Sequence, residues 1–119
     1  MKPTEVSERD AGYIWDMLQA IKHIRQFTQG LSYDDYVSSH LIQSAVERKL
    51  EILGEAAGKV SKQLQTTQTD IDWKAINGLR NVIIHQYNEV QSTVIWRIIT
   101  SKLAPLKAQL EPLLPPLDK

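Results

Sequence analysis

Apolar residues recur at helical spacing along most of the chain, and no stretch alternates apolar and polar side chains as a half-buried strand does. Ile14, Met17, Leu18, Ile21 and Ile24 mark a first helix, predicted from about Ser7 to Thr28, with Gly30 as a stop just past its end. Ser32 can cap a following turn, and Asp35, three residues on, makes a near capping box. A longer pattern (Leu41, Ile42, Ala45, Val46, Leu50, Leu53, Ala56, Ala57 and Val60) predicts a second major helix from about Ser39 to Gln63. Its small residues Gly54, Ala56, Ala57 and Gly58 would let a neighbouring helix approach closely. Leu64 to Asp72 is polar, rich in Thr and Gln and without periodicity, which predicts a loop. Asp70 or Asp72 can then cap a helix running from Trp73 to about Tyr87. A last helix is predicted from about Ser92 to Leu110, with Val94, Ile95, Ile98, Ile99, Leu103 and Leu106 facing inward. Pro105 inside it implies a kink or a restart, because proline lacks the backbone donor and clashes with the preceding turn. The tail from Pro112 carries three prolines in five residues and is predicted non-helical.

Short connections between apolar-faced helices imply an all-α fold, an antiparallel bundle of four to five helices. The 119 residues fit one domain, 1–119, with a polar N-terminal tail over about 1–7 and a Pro-rich tail over about 112–119. A domain this small buries a core but leaves much of its surface wet, so association with another chain would add burial. Hydrophobic residues make up 42% and charged residues 24%, ordinary values for a soluble globular protein. The absence of cysteine excludes disulfides and thiol chemistry and suits the cytoplasm. No apolar run approaches the roughly 18 residues of a membrane span, and Met1 to Asp10 is polar and mixed in charge, unlike a signal peptide.

A formal net charge of zero argues against a protein that coats nucleic acid without specificity. The distribution is uneven: residues 1–72 sum to −3, whereas Lys74, Arg80, Arg97, Lys102 and Lys107 against Glu89 alone bring residues 73–107 to +4. Such a region can attract an anionic substrate, or it can be scattered solubilising charge.

The helix from Trp73 to Tyr87 has an unusual surface. With Arg80 set at zero and a turn of about 100° per residue, Ile76, Leu79, Ile83 and Tyr87 fall between about 260° and 340° and form a core stripe. Asn77, Asn81 and His85 fall between about 60° and 140°, with Ile84 interrupting their row. Solvated faces are usually built from Lys, Glu and Gln, and Asn is a poor helix former. Two asparagines on one face therefore point to hydrogen bonding, either with a ligand or with another helix. His85 can act as general acid or base near neutral pH, and Arg80 can hold a phosphate through paired hydrogen bonds. RNA cleavage by its own 2′-hydroxyl needs a base, an acid and a cation at the phosphate. One His and one Arg supply part of that set, and two copies across a dimer could supply the rest. On spacing alone, a histidine near a helix end is more often structural or incidental than catalytic.

Other chemistry is poorly represented. His23 and His40 lie far off in sequence, and their positions predict solvated side chains. No His/Asp/Glu set has metal-ligand spacing, and no P-loop, nucleophile motif or cofactor signature is present. Trp15, Trp73 and Trp96 are spaced as core or edge aromatics, with base stacking as the alternative.

Arg80 to Tyr87 reads R-N-V-I-I-H-Q-Y, which resembles the R-x4-H-x-Y motif of HEPN toxins in the HepT group. Ala45 to Ala57, containing Gly54-Glu55-Ala56, resembles that family's second signature. Gly30 to Tyr36, Trp73, Ile76, Gly78 to Asn81, Trp96 and Leu103 to Leu106 also fit, so the resemblance spans roughly residues 9 to 107. It implies a HEPN-like bundle that dimerises through the motif helix and a metal-independent endoribonuclease without cofactors. Carried over by position, Arg80 and His85 are the catalytic pair, Asn81 and Asn77 supporting polar residues. Tyr87 is the tyrosine that a cognate minimal nucleotidyltransferase antitoxin modifies with AMP. The implied partners are an RNA substrate, a second copy of the chain and that antitoxin, with no DNA and no membrane. The alternative expectation is a non-catalytic helical module that docks on a nucleotidyltransferase, and a third is an antitoxin-like role.

Overall fold

A computed structural model describes residues 6–84 and 89–114, leaving aside the side chains of 84 and 89–91. Its described residues form α1 (Glu8–Thr28), α2 (Tyr33–Val37), α3 (His40–Lys59), α4 (Lys62–Thr67), α5 (Trp73–Asn77), α6 (Leu79–Ile84), α7 (Glu89–Arg97) and α8 (Leu103–Leu110). No β-strand occurs among them, so the fold is an all-α bundle. His85 and Tyr87 lie outside the described residues.

The first half folds by local rules that are readable residue by residue. Ser7 caps α1 by accepting from the Asp10 amide, and Gly30, at φ 78°, provides the left-handed residue past its end. Ser32 and Asp35 complete a reciprocal capping box on α2: each side chain accepts from the other's backbone N–H, at 3.1 and 3.0 Å. Ser39 caps α3 in the same way.

α1 buries Ile14, Met17, Ile21 and Ile24 along one stripe, and α3 buries Val46, Leu50, Leu53 and Ala57. These two helices make the main packing of the fold. They run antiparallel, because Asp10 at the start of α1 meets Ser61 just beyond the end of α3. The buried Asp10 carboxylate accepts from the Ser61 amide at 2.9 Å and from its hydroxyl at 2.6 Å. Asp10→Ala leaves that amide without its charged acceptor and is expected to cost about 2 kcal/mol, read as a lower urea midpoint with an unchanged slope.

The same clamp explains a difference from the sequence pattern. α3 ends at Lys59 rather than Gln63, because Val60 is extended and Ser61 caps a new helix, α4, by accepting from the Leu64 amide. The polar segment 64–72 is therefore not all loop: α4 runs to Thr67, with the Thr66 and Thr67 hydroxyls donating back to the Gln63 and Leu64 carbonyls. Asp72, not Asp70, caps α5 through the Ala75 amide.

The expected single helix from Trp73 onward is also divided. α5 and α6 are separated at Gly78, a residue of low helix propensity whose carbonyl accepts from both the Asn81 and Val82 amides. The last pattern is continuous but changes pitch. Between α7 and α8, residues Ile98–Lys102 form a π-helical turn, in which the Leu103 amide reaches back to the Ile98 carbonyl. Pro105, lacking an N–H, sits in the first turn of the restarted helix, where that donor is not needed. A 3₁₀ turn, Glu111–Leu113, takes Pro112 into helical structure after all.

Tyr36 on α2 is fully buried, its ring 5.4 Å from that of Trp96. Burial and the neighbouring Glu47 push its hydroxyl well above the usual tyrosine range. Glu47 is itself raised above the ordinary carboxylate value, by burial first and by Glu51 second. The folded chain thus holds a proton on Glu47 that the unfolded chain has released, and stability falls as pH rises through that interval. Glu47→Gln is expected to raise the thermal midpoint at pH 7 and to leave it unchanged at pH 3, where the carboxyl is protonated in both states.

Candidate active site

The site is built on a spacing within α3. At about 100° per residue, positions four apart lie about 40° from each other, so Gly54 and Gly58 form one row and Glu55 and Lys59 a second row beside it. The glycine row is where α5 and α6 cross. A Cβ at Gly54 would stand 3.2 Å from the Ile76 carbonyl and 3.9 Å from the Leu79 Cβ. One at Gly58 would stand 3.3 Å from the Asn77 side-chain oxygen. The small-residue face of α3 thus receives the two short helices that carry Asn77 and Arg80.

Apolar contacts fix the rotation of these helices. Ile76 and Leu79 are buried against α3, Ile83 is half-buried, and Asn77, Arg80 and Asn81 are exposed. Trp73 anchors the start, its ring buried and its indole N–H donating to the Gln68 carbonyl at 3.0 Å.

Between the two elements lies a cleft of about 430 Å³, lined by Gly54, Glu55, Gly58, Lys59, Asn77 and Arg80. The structure therefore brings Arg80 and Asn77 into one concavity, while Asn81 does not line it. Glu55 and Lys59 were not singled out in the sequence as site residues. The signal that could have found them is the Gly-Glu-x-x-Gly-Lys spacing, once the glycine row is recognised as a docking surface. Arg48, on the same helix, pairs with Glu51 at 3.2 Å and takes no part in the cleft.

The basic segment 73–107 does not form one patch. Arg80 belongs to the α3 cleft, whereas Lys107 pairs with Glu111 at 3.1 Å and lines a different cavity of about 850 Å³. That groove lies against α1, with Trp15, Lys22, Arg25 and Trp96 among its walls. Trp15 is 54% exposed, Trp96 half-buried and Trp73 core. Of the two described histidines, His40 is exposed as expected. His23 is half-buried, with its Nδ1 enclosed and unpaired among the described residues, so it is not the solvated residue that its position suggested.

The model of the HepT-like family, described as ribonuclease HepT-like, matches residues 17–113, which takes in α3, the cleft and the segment carrying Arg80. The chain is a member of the HepT-like ribonuclease family. Similar HepT-like relatives include "Putative RNase MJ1380" of Methanocaldococcus jannaschii, 29% identical over 107 residues, covering 89% of this chain and 98% of the relative. "Probable ribonuclease HepT" of Thermococcus cleftensis is 31% identical over 101 residues, covering 85% and 92% respectively. "Putative RNase TTE0752" of Caldanaerobacter subterraneus subsp. tengcongensis is 30% identical over 102 residues, covering 86% and 91%. No solved structure matches the chain. As a HepT-like chain it has no helix among its described residues long and apolar enough to cross a membrane.

Proposed function

We propose that the chain is an endoribonuclease whose phosphate site is the Arg80 cleft. The observation that carries this reading is the cleft itself, in which α5 and α6, packed on α3, present Asn77 and Arg80 at one concave surface in a member of the HepT-like family. Arg80 binds the scissile phosphate through its guanidinium and stabilises the charge that develops there. His85, five residues on, moves the proton. In the reaction the 2′-oxygen bonds to the adjacent phosphorus as its proton leaves. The bond from phosphorus to the 5′-oxygen breaks, and that oxygen takes up a proton. The products are a 2′,3′-cyclic phosphate and a 5′-hydroxyl, a route whose chemistry needs no metal. Because the step calls for both a base and an acid, one chain supplies a half-site and a second copy, docked through the motif helix, completes it. Asn77, on the cleft wall, supports the site by hydrogen bonding.

In this reading the protein is the toxin of a cytoplasmic pair. Its antitoxin is a minimal nucleotidyltransferase that attaches AMP from ATP to the Tyr87 hydroxyl, releasing pyrophosphate. A bulky anion near Arg80 would exclude RNA by volume and by charge.

The test is incubation of the purified chain, free of any partner, with single-stranded RNA in EDTA. The proposal expects cleavage, and loss of cleavage with a gain of AMP mass after treatment with the transferase and ATP. Intact RNA together with a tight transferase complex would replace it with the reading of a non-catalytic docking module.

A further inference from the structure

The cleft holds two charged groups that the Arg80–His85 pair leaves unused. Glu55 and Lys59 occupy the second row of α3, one residue on from each glycine that receives α5 and α6, and both line the concavity with Arg80. They stand at the i, i+4 spacing, acid before base, that favours a mutual ion pair on a helix surface. Yet the ion pairs among the described residues are Arg48–Glu51 and Lys107–Glu111, and neither Glu55 nor Lys59 takes part in one. Both side chains are exposed.

Two cations, one carboxylate and one carboxamide therefore face a single concavity. A phosphate alone would not fit that set, because the carboxylate repels it. A ribose-phosphate does, since it offers an anion to the cations and a hydroxyl donor to the carboxylate.

We infer that Lys59 and Glu55 form a backbone subsite for single-stranded RNA next to the scissile phosphate. Lys59 holds the neighbouring phosphate as a point charge. Glu55 accepts a hydrogen bond from a ribose 2′-hydroxyl, the group by which a protein tells RNA from DNA. This rests on the ribonuclease reading of the Arg80 cleft and adds a substrate-reading wall to it.

The experiment measures binding without turnover, in full-length His85→Ala protein, using a short single-stranded RNA and the DNA of the same sequence over a range of KCl concentrations. Adding Lys59→Ala is expected to weaken both ligands alike, by about tenfold at low salt, and to flatten the slope of log affinity against log salt by about 0.7, the value for one phosphate contact on a single strand. Lys59→Arg restores the slope. Adding Glu55→Ala is expected to weaken RNA by about tenfold without weakening DNA, so that the preference collapses. Glu55→Gln, which retains an acceptor oxygen, keeps part of it. A purely structural role would move neither the slope nor the ratio. If both stay at parental values while wild-type protein cleaves RNA, this inference is overturned and the ribonuclease reading stands. If the parent binds no RNA and the wild type cleaves none, both fall together.

Discussion

His85→Ala is expected to lower RNA cleavage by at least about a hundredfold, while helix content and thermal midpoint stay at wild-type values. Arg80→Ala is expected to do the same, with a loss of about 10²–10³ for removing the group that faces the developing charge. The Arg80 side chain is exposed and makes no ion pair among the described residues, so its removal takes nothing from the fold. Arg80→Lys recovers little of the lost rate, because an ammonium does not reproduce the paired geometry of a guanidinium. The half-site reading adds a consequence. Mixing the inactive Arg80→Ala and His85→Ala chains regains part of the activity if each active cleft draws on two copies, and regains none if each chain works alone. Gel-based cleavage of a labelled RNA reads all four samples.

Gly54→Leu is expected to cost about 3 kcal/mol and to remove cleavage as well, although it alters no group with chemistry of its own. The neighbour of Gly54 is the Ile76 backbone carbonyl, 3.2 Å from where a Cβ would stand, with the Leu79 Cβ at 3.9 Å behind it. Neither can swing aside as a side-chain tip can. α5 and α6 must therefore back away from α3, opening the cleft that presents Arg80 and losing the burial of Ile76 and Leu79. Gly58→Ala is the contrast. Its neighbour, the Asn77 side-chain oxygen at 3.3 Å, can rotate away. The helix then gains roughly the 1 kcal/mol by which alanine exceeds glycine, so stability rises while cleavage falls through the displaced Asn77. Urea unfolding and cleavage rate, measured on both variants, separate the two effects.

The parts of the fold legible in the sequence are those decided within a few residues. The capping box of Ser32 and Asp35, the stop at Gly30 and the apolar stripes of α1 and α3 each depend on side chains one to four positions apart. The burial of Ile76 and Leu79 also followed from spacing, as did the close approach of a second helix to Gly54 and Gly58. What the sequence pattern missed was decided at longer range or by a single backbone group. α3 stops at Lys59 because Asp10, 51 positions before Ser61, claims the Ser61 amide and hydroxyl. Pro105 was legible as an interruption, but the π-helical turn that accommodates it was not, because periodicity alone does not distinguish a kink from a change of pitch. Likewise, the basic segment was legible as a charge excess and not as a location. Arg80 and Lys107 end up lining different cavities, and the second cation beside Arg80, Lys59, comes from the half of the chain that is acidic overall.

A single chemical substitution in the substrate bears most directly on the assignment of RNA cleavage to the Arg80 cleft. An RNA oligonucleotide and its counterpart with one 2′-deoxyribose at the cut position are incubated with the purified chain in EDTA, and the product ends are read by mass. Cleavage that leaves a 2′,3′-cyclic phosphate and a 5′-hydroxyl, stops at the deoxy position and disappears in Arg80→Ala is the expected result. Cutting at the deoxy position, 5′-phosphate ends, or undiminished cleavage by Arg80→Ala would contradict it.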